Sequence, residues 1–147
     1  MCQLTTNFPH SLETIDKEMK YVMFETPYNY PEAMDKCEED GGNLALAADQ
    51  TTFDLLSTMY SVYRMQGGRI GGAFVDGVLI SQKKAFCQNT YGECPATIPW
   101  QPGYPSDAGS QHCLSILWQH DNGVANTYCD TKKIVICQFT LQITNVH

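Results

Sequence analysis

Seven cysteines are the residues of this 147-residue chain whose chemistry their type and spacing predict best. No two of them have the C-x2-C spacing of zinc sites, so we expect disulfides formed in an oxidising, extracellular compartment. Six span positions 37 to 137, and Cys2 stands apart as a free thiol or an interchain partner. No signal peptide is visible in this numbering. We therefore expect a secreted or extracellular location because of the cysteine content alone.

The sequence lacks the common motifs of enzyme active sites. The sequence contains no Gly-x-Ser-x-Gly, phosphate loop, His-Glu-x-x-His or dinucleotide-binding glycine pattern. The four histidines are scattered along the chain, as structural histidines usually are. We therefore predict that the protein is not an enzyme and has neither catalytic residues nor a cofactor.

The charge balance narrows the class of partner. Asp and Glu outnumber Lys and Arg by 16 to 9, which gives a net charge of −7. Binding to nucleic acid or to an anionic membrane surface needs clustered basic residues, and no such cluster is evident. The apolar runs are also far too short to span a membrane. The sequence therefore argues against nucleic acid and membranes as partners.

Two helices and several strands are predicted to position the cysteines. Asn29 and Glu32 form a capping box for a helix that ends near Asp40. A second helix is capped by Asp49 or Thr51, and its apolar residues recur at helical spacing. Those residues are Phe53, Leu56, Met59, Tyr60 and Tyr63.

The strands fall around the helices and in the last third of the chain. They are predicted at 21–24, 43–47, 69–75, 113–118, 124–129 and 134–141, with a turn at 26–28. A long irregular loop runs from 76 to 112 and contains four prolines. This order predicts an α+β domain with two early helices and antiparallel sheets. We assign 1–20 to an N-terminal extension, 21–141 to the domain and 142–147 to a tail.

The sequence from roughly Tyr21 to Phe139 resembles the C-type lectin-like domains. The first helix carries Ala33-x-x-x-Cys37, and Gly41-Gly42-Asn43-Leu44-Ala45 follows it. Arg69-Ile70-Gly71-Gly72 stands where the family has Trp-Ile-Gly-Leu. Further along the chain come Trp100-x-x-Gly103-x-Pro105 and the cysteines Cys113, Cys129 and Cys137. The ordered set is more specific than any one motif. Arg69 and Gly72 depart from the family pattern at positions that are core or near-core in the family.

The resemblance implies how the cysteines pair. It implies the bridges Cys37–Cys137 and Cys113–Cys129, and it leaves Cys87–Cys94 as an extra pair within the long loop. It also implies the fold: two helices, antiparallel sheets and a long irregular loop region.

Sugar-binding members hold calcium with Glu-Pro-Asn or Gln-Pro-Asp in one loop, a further Glu, and Trp-Asn-Asp in a later strand. The aligned residues here are Tyr104-Pro105-Ser106, Gln111 and Val124-Ala125-Asn126, and none is a carboxylate. Because calcium needs several carboxylate ligands, we expect no calcium at these positions. Pro105 is commonly cis in the family, and Tyr104 before it is compatible with that.

The long-loop surface is the candidate binding site. Its predicted residues are Tyr91, Tyr104, Ser106, Asp107, Gln111, His112 and Asn126, while Trp100 and Tyr128 are expected to be core. Exposed tyrosines with small polar neighbours are typical of protein interfaces and also suit stacking on sugar rings.

Three functions follow as hypotheses. The first is a calcium-independent extracellular module that binds a protein ligand or self-assembles, with a disulfide-linked homo-oligomer through Cys2 as one form. The second is a glycan-binding lectin, either calcium-independent or with a calcium site relocated to Asp107 and Asp76. The third is a structural or matrix protein.

Overall fold

Two helices and eight strands make up the secondary structure of the described residues. The structure is a computed structural model, and it describes residues 11–16, 18–80, 85–88, 92–95, 97–106, 112–119 and 122–141. In chain order the elements are β1 (Ser11–Asp16), β2 (Met19–Tyr28), α1 (Tyr30–Glu39), β3 (Asn43–Leu44), α2 (Gln50–Met65), β4 (Gly72–Ile80), β5 (Ala85–Cys87), β6 (Cys113–Leu117), β7 (Ala125–Thr127) and β8 (Lys133–Thr140).

The strands join in one mixed sheet. Their order is β1-β2-β8-β4-β6-β7, with β3 added to β8 and β5 added to β4. The pairs are antiparallel except β4 and β8, which run parallel through Ala73 with Ile134 and Phe74 with Val135. The predicted α+β class with two early helices is confirmed.

The first helix begins with the capping box that the sequence predicts. The Glu32 amide donates to Asn29 Oδ1, and the Asn29 amide donates to Glu32 Oε1, both at 3.0 Å. Pro31 occupies the first turn, where a missing amide proton costs nothing. The helix ends at Glu39, and Gly41 follows with a φ of +92°, a conformation that favours glycine.

The second helix begins at the Asp49 cap, whose Oδ1 accepts a bond from the Thr52 amide at 2.8 Å.

The last turns of α2 hold the segment in which Arg69, which is exposed, stands where the family has a tryptophan. The Tyr60 hydroxyl donates to the Ile70 carbonyl at 2.7 Å, and the Ile70 amide donates to the Tyr63 hydroxyl at 3.0 Å. Two tyrosines therefore hold the segment where the family has its tryptophan.

The sheet separates two layers of core. On one side α2 packs against Ile134 and Ile136 of β8, and on the other α1 packs near Val135 and Cys137. Successive residues of β8 therefore face opposite core layers, as they do along any strand. Gly72 lies buried in the sheet, and a Cβ there would meet the Ile116 carbonyl oxygen at 3.1 Å. A larger side chain at this position would require its neighbours to shift.

Several strand boundaries differ from the predictions. β4 continues beyond Asp76 to Ile80, because Val78, Leu79 and Ile80 pair with β5. At the register shift before Val78, the Gly77 amide donates to the Tyr30 hydroxyl at 2.9 Å, and that hydroxyl lies 3.5 Å from Asp76 Oδ1. The predicted turn at 26–28 is wrong, since β2 extends to Tyr28 and pairs there with Lys133. β5 was not predicted within the loop that begins at position 76.

β1 lies within the segment assigned to the N-terminal extension, and it pairs with β2 from Ser11 to Asp16. Residues 1–10 and 142–147, including Cys2, lie outside the described residues. The division into extension, domain and tail therefore stays a prediction.

The six cysteines among the described residues form three disulfides, and these are the pairs that the sequence analysis gives from the family resemblance. They are Cys37–Cys137, Cys87–Cys94 and Cys113–Cys129, with sequence separations of 100, 7 and 16 residues. The first joins α1 to β8 inside the core, and the second ties the end of β5 to the long loop.

Candidate functional site

The long loop is anchored on the strand entry at Val124. The Val124 amide donates to the Pro99 carbonyl at 2.8 Å, and the Gln101 amide donates to the Val124 carbonyl at 2.9 Å. These bonds form a parallel bridge between Trp100 and Val124. Phe86 packs edge-on against Trp100 with ring centroids 5.3 Å apart. The Trp-x-x-Gly-x-Pro segment is thus attached to the sheet by both backbone and side chains.

A second attachment joins Ser106 to β7 through one side chain. The Ser106 amide donates to Asn126 Oδ1 at 2.7 Å, and Asn126 Nδ2 donates to the Ser106 carbonyl at 3.0 Å. Asn126 is only 3% exposed. Both polar ends of its amide therefore bond the backbone of the long loop, and this side chain fixes the loop beside the strand.

Four of the seven predicted site residues lie in the described part of the chain. Ser106 and Asn126 are in direct contact. Tyr104 lies two positions before Ser106, and the peptide bond between Tyr104 and Pro105 is cis. His112 is exposed and precedes Cys113, which pairs with Thr127 next to Asn126. The other three, Tyr91, Asp107 and Gln111, lie outside the described residues.

Two aromatic residues were expected in the core, and they behave differently. Trp100 is partly buried and packs against the larger core cluster. Tyr128 is 44% exposed, so its assignment to the core is wrong. The three residues of β7 are buried, and the strand ends at Thr127. Tyr128 comes directly after this end. Tyr128 is therefore a surface residue, and it follows Thr127, whose partner Cys113 follows His112.

The role of Asn126 in holding the long loop is not evident from the sequence. It is predicted from the sequence to be among the ligand-binding residues of the long-loop surface, whereas the structure buries it. The signal that it is buried lay in its neighbours, since Val124, Ala125 and Thr127 are small or β-branched residues typical of an interior strand. Its partner lies 20 positions away, which no local pattern reveals.

The described residues at the aligned calcium positions do not fit a calcium ion. Val124 and Ala125 are fully buried and have no side-chain oxygen, and the Asn126 oxygen already accepts from Ser106. Calcium takes about six to eight oxygen ligands, with carboxylates among them. In the part of the chain that the structure describes, His, Cys, Asp and Glu side chains form no group of three or more suited to a metal ion.

Asp76, the other acidic residue considered for a relocated calcium site, is 4% exposed in the interior of β4. It lines a cavity of about 50 Å³ together with Phe86, Gln88 and Leu114. Its carboxylate thus lies beneath the long loop. Asp107, its proposed co-ligand, lies outside the described residues.

The sheet order, the two helices and the long loop held over β7 define the C-type lectin-like fold, and comparison with solved structures confirms it. Human lithostathine superposes with a TM-score of 0.74 at 15% identity, over 87% of this chain and 96% of that chain. The C-type lectin CEL-I from Cucumaria echinata gives 0.74 at 11% identity, over 96% of this chain and 100% of that chain. A calcium-independent type II antifreeze protein gives 0.71 at 17% identity, over 87% and 91%.

Sequence-level comparisons add no family assignment. No protein-family model matches the chain, and no curated protein matches it either. Neither of the two described helices has the length and apolar character that crossing a bilayer requires.

Proposed function

We propose that this chain is an extracellular recognition module that binds a protein ligand through the long-loop surface without calcium. The observation that carries the proposal is the double hydrogen bond between Asn126 and the Ser106 backbone. In sugar-binding members a calcium ion joins these two segments. Here a neutral side chain joins them, and its oxygen is committed to the loop.

The chemistry of the surface supports protein recognition. Tyr104, His112 and Tyr128 offer aromatic and polar contacts around the fixed Ser106 backbone. Tyrosine provides a large contact area at a low entropic cost, which is why it is enriched at interfaces. The fold is compatible with calcium independence, since one structural neighbour is itself described as calcium-independent. We also propose a non-enzymatic role, since the structural neighbours include a C-type lectin and an antifreeze protein.

The disulfides support an extracellular location. Intrachain disulfides persist in oxidising compartments and are rare in the cytosol, and this chain has three of them. Self-assembly through Cys2 remains a separate proposal, because Cys2 lies outside the described residues. A band that halves in mass on reduction would support an interchain disulfide, and one size on both gels would contradict it.

An array of secreted and cell-surface proteins, probed with the tetramerised domain in chelator, tests the proposal. We expect binding that survives the chelator, that Tyr128→Ala weakens, and that Ile15→Ala leaves unchanged. Ile15 is the matched control because it is an exposed apolar residue of β1, 61% accessible and remote in the sheet order from β7. Binding that disappears with chelator, or that both variants weaken equally, would contradict the proposal.

Glycan binding is the second candidate, and it is favoured by the similarity to CEL-I, which is described as a C-type lectin. Tyr128 could stack on a sugar ring in such a complex. A glycan array run with and without chelator separates the two functions. Chelator-sensitive glycan binding would replace the proposal above with a calcium lectin, and chelator-resistant glycan binding with a calcium-independent one.

A further inference from the structure

We propose that a second surface, at the end of α2, binds a short acidic segment of a partner protein. We call it the arginine–tryptophan patch and define it by Arg64, Met65, Arg69 and Trp118. It carries both arginines of a chain whose net charge is −7, and no Asp or Glu occurs between positions 55 and 75. Positive charge is therefore concentrated at one place on an acidic protein.

Arg64 is held in a fixed position by aromatic and backbone contacts. Its guanidinium carbon lies 4.8 Å from the centroid of the Trp118 ring. Its Nη1 donates to the Ile70 carbonyl at 3.4 Å, and the Tyr60 ring supports Trp118 edge-on at 6.4 Å. A side chain already ordered by such contacts loses little further entropy when it binds a ligand.

Arg64 has donors left for a carboxylate. A guanidinium carries five N–H groups in a planar fork that matches a carboxylate, and the contacts above occupy only some of them. Among the described residues no carboxylate lies within ion-pair distance of Arg64 or Arg69. The described carboxylates that do form ion pairs, Glu13, Glu32 and Asp40, each pair with a lysine.

The patch also exposes large apolar side chains. Met65 is 73% exposed and Trp118 is 37% exposed. Trp and Arg are the residue types that most often contribute large binding energies at protein interfaces, and Met is also enriched there. The combination of an ordered cation, an indole and a flexible thioether suits a segment that alternates carboxylates with apolar residues.

Size and charge indicate a short segment and not a second copy of this chain. The patch has four side chains, whereas a stable interface between folded proteins uses about 20 to 30 residues a side. Two copies that each carry −7 also repel one another.

The patch is separate from the long-loop surface. Trp118 follows the end of β6 that pairs with Gly72, while His112 precedes the opposite end, where Cys113 pairs with Val78 and Thr127. The five residues of β6 place the two surfaces about 17 Å apart along the strand. Each proposal can therefore fail without the other.

Fluorescence anisotropy of a labelled glutamate–leucine peptide tests the proposal with the full chain. The reference probe is the same peptide with glutamine in place of each glutamate. We expect the acidic peptide to bind and the glutamine peptide not to bind. Arg64→Gln should weaken binding by about tenfold or more, because it removes charge-assisted hydrogen bonds. Arg64→Lys should recover only part of the affinity, since lysine keeps the charge and loses the planar fork.

Lys132→Gln is the matched control. It removes one positive charge from an exposed side chain on another part of the surface, where Lys132 pairs with Glu32 at 3.4 Å. We expect this variant to bind like the unmodified protein, and melting curves will show that all variants are folded. The proposal is overturned if the acidic peptide does not bind, if both peptides bind equally, or if Lys132→Gln and Arg64→Gln weaken binding alike. Arg64-dependent binding of a sulfated oligosaccharide in place of the peptide, or Arg64-dependent self-association in sedimentation, would also overturn it.

Discussion

The side-chain amide of Asn126 holds the backbone of Ser106 from both sides. It accepts from the Ser106 amide at 2.7 Å and donates to the Ser106 carbonyl at 3.0 Å, in a site where Asn126 is 3% exposed. A buried amide that satisfies both backbone groups of a loop residue joins the long loop to β7 as a metal ion otherwise could. The first prediction follows from this pair.

Asn126→Ala should lower the free energy of unfolding by about 1 to 3 kcal/mol, because it leaves the partly buried backbone groups of Ser106 without these partners. Urea unfolding measures the change. Asn122→Ala is the matched control, since the Asn122 side chain is exposed and only its backbone amide bonds Gln101, at 3.1 Å. Equal stability of the two variants would show that the Asn126 bonds do not hold the loop.

Gly123→Ala should destabilise the long loop by about 1 to 3 kcal/mol, because a Cβ there would collide with the backbone of Pro99, Trp100 and Gln101. The Trp100 fluorescence should shift towards that of a solvated indole as the bridge to Val124 opens. Gly71→Ala is the control, since no atom lies within 4 Å of its added Cβ. A Gly123→Ala protein as stable as Gly71→Ala would contradict the described packing.

The disulfides should contribute unequally to stability. Chain entropy predicts about 4 to 5 kcal/mol for Cys37–Cys137, which closes a loop of 100 residues, and about 2 kcal/mol for Cys87–Cys94, which closes one of 7. Unfolding of the two paired alanine variants measures the difference. Larger destabilisation from removing Cys87–Cys94 would indicate that the long loop, and not the core bridge, controls global unfolding.

Lys133 should make stability depend on alkaline pH. Burial lowers the pKa of Lys133, whose Nζ lies 5.7 Å from the Phe74 ring centroid. Between its lowered folded pKa and the ordinary value of about 10.4, the unfolded chain binds more protons, so folding stability rises with pH. The melting temperature of the unmodified protein, relative to Lys133→Met, should therefore increase through this range. A difference in melting temperature between the two proteins that stays constant through this range would contradict the burial of Lys133.

Local patterns predicted the elements that have local causes. The capping box of Asn29 and Glu32 and the helical spacing of Phe53 to Tyr63 appear in the structure as expected. The disulfides followed from the family resemblance and not from spacing, since six cysteines allow fifteen pairings.

Features that depend on distant partners could not be read from the sequence. β1 has no strong strand pattern of its own and forms because β2 offers it an edge. A loop is predicted to begin at Asp76, yet Asp76 lies inside β4, because the residues after it pair with β5, a strand that the sequence pattern does not predict. For the same reason the site was predicted in outline, through Tyr104 and Ser106, while the burial of Asn126 and the exposure of Tyr128 were not.

The melting temperature in calcium and in chelator shows whether this domain binds calcium. A ligand that binds the native state must raise its stability, by an amount that grows with concentration above the dissociation constant. Because the Asn126 side chain already joins the long loop to β7, we predict the same melting temperature in millimolar calcium and in chelator. A calcium-dependent rise of several degrees, absent with magnesium, would contradict the account and would place a calcium site in this domain.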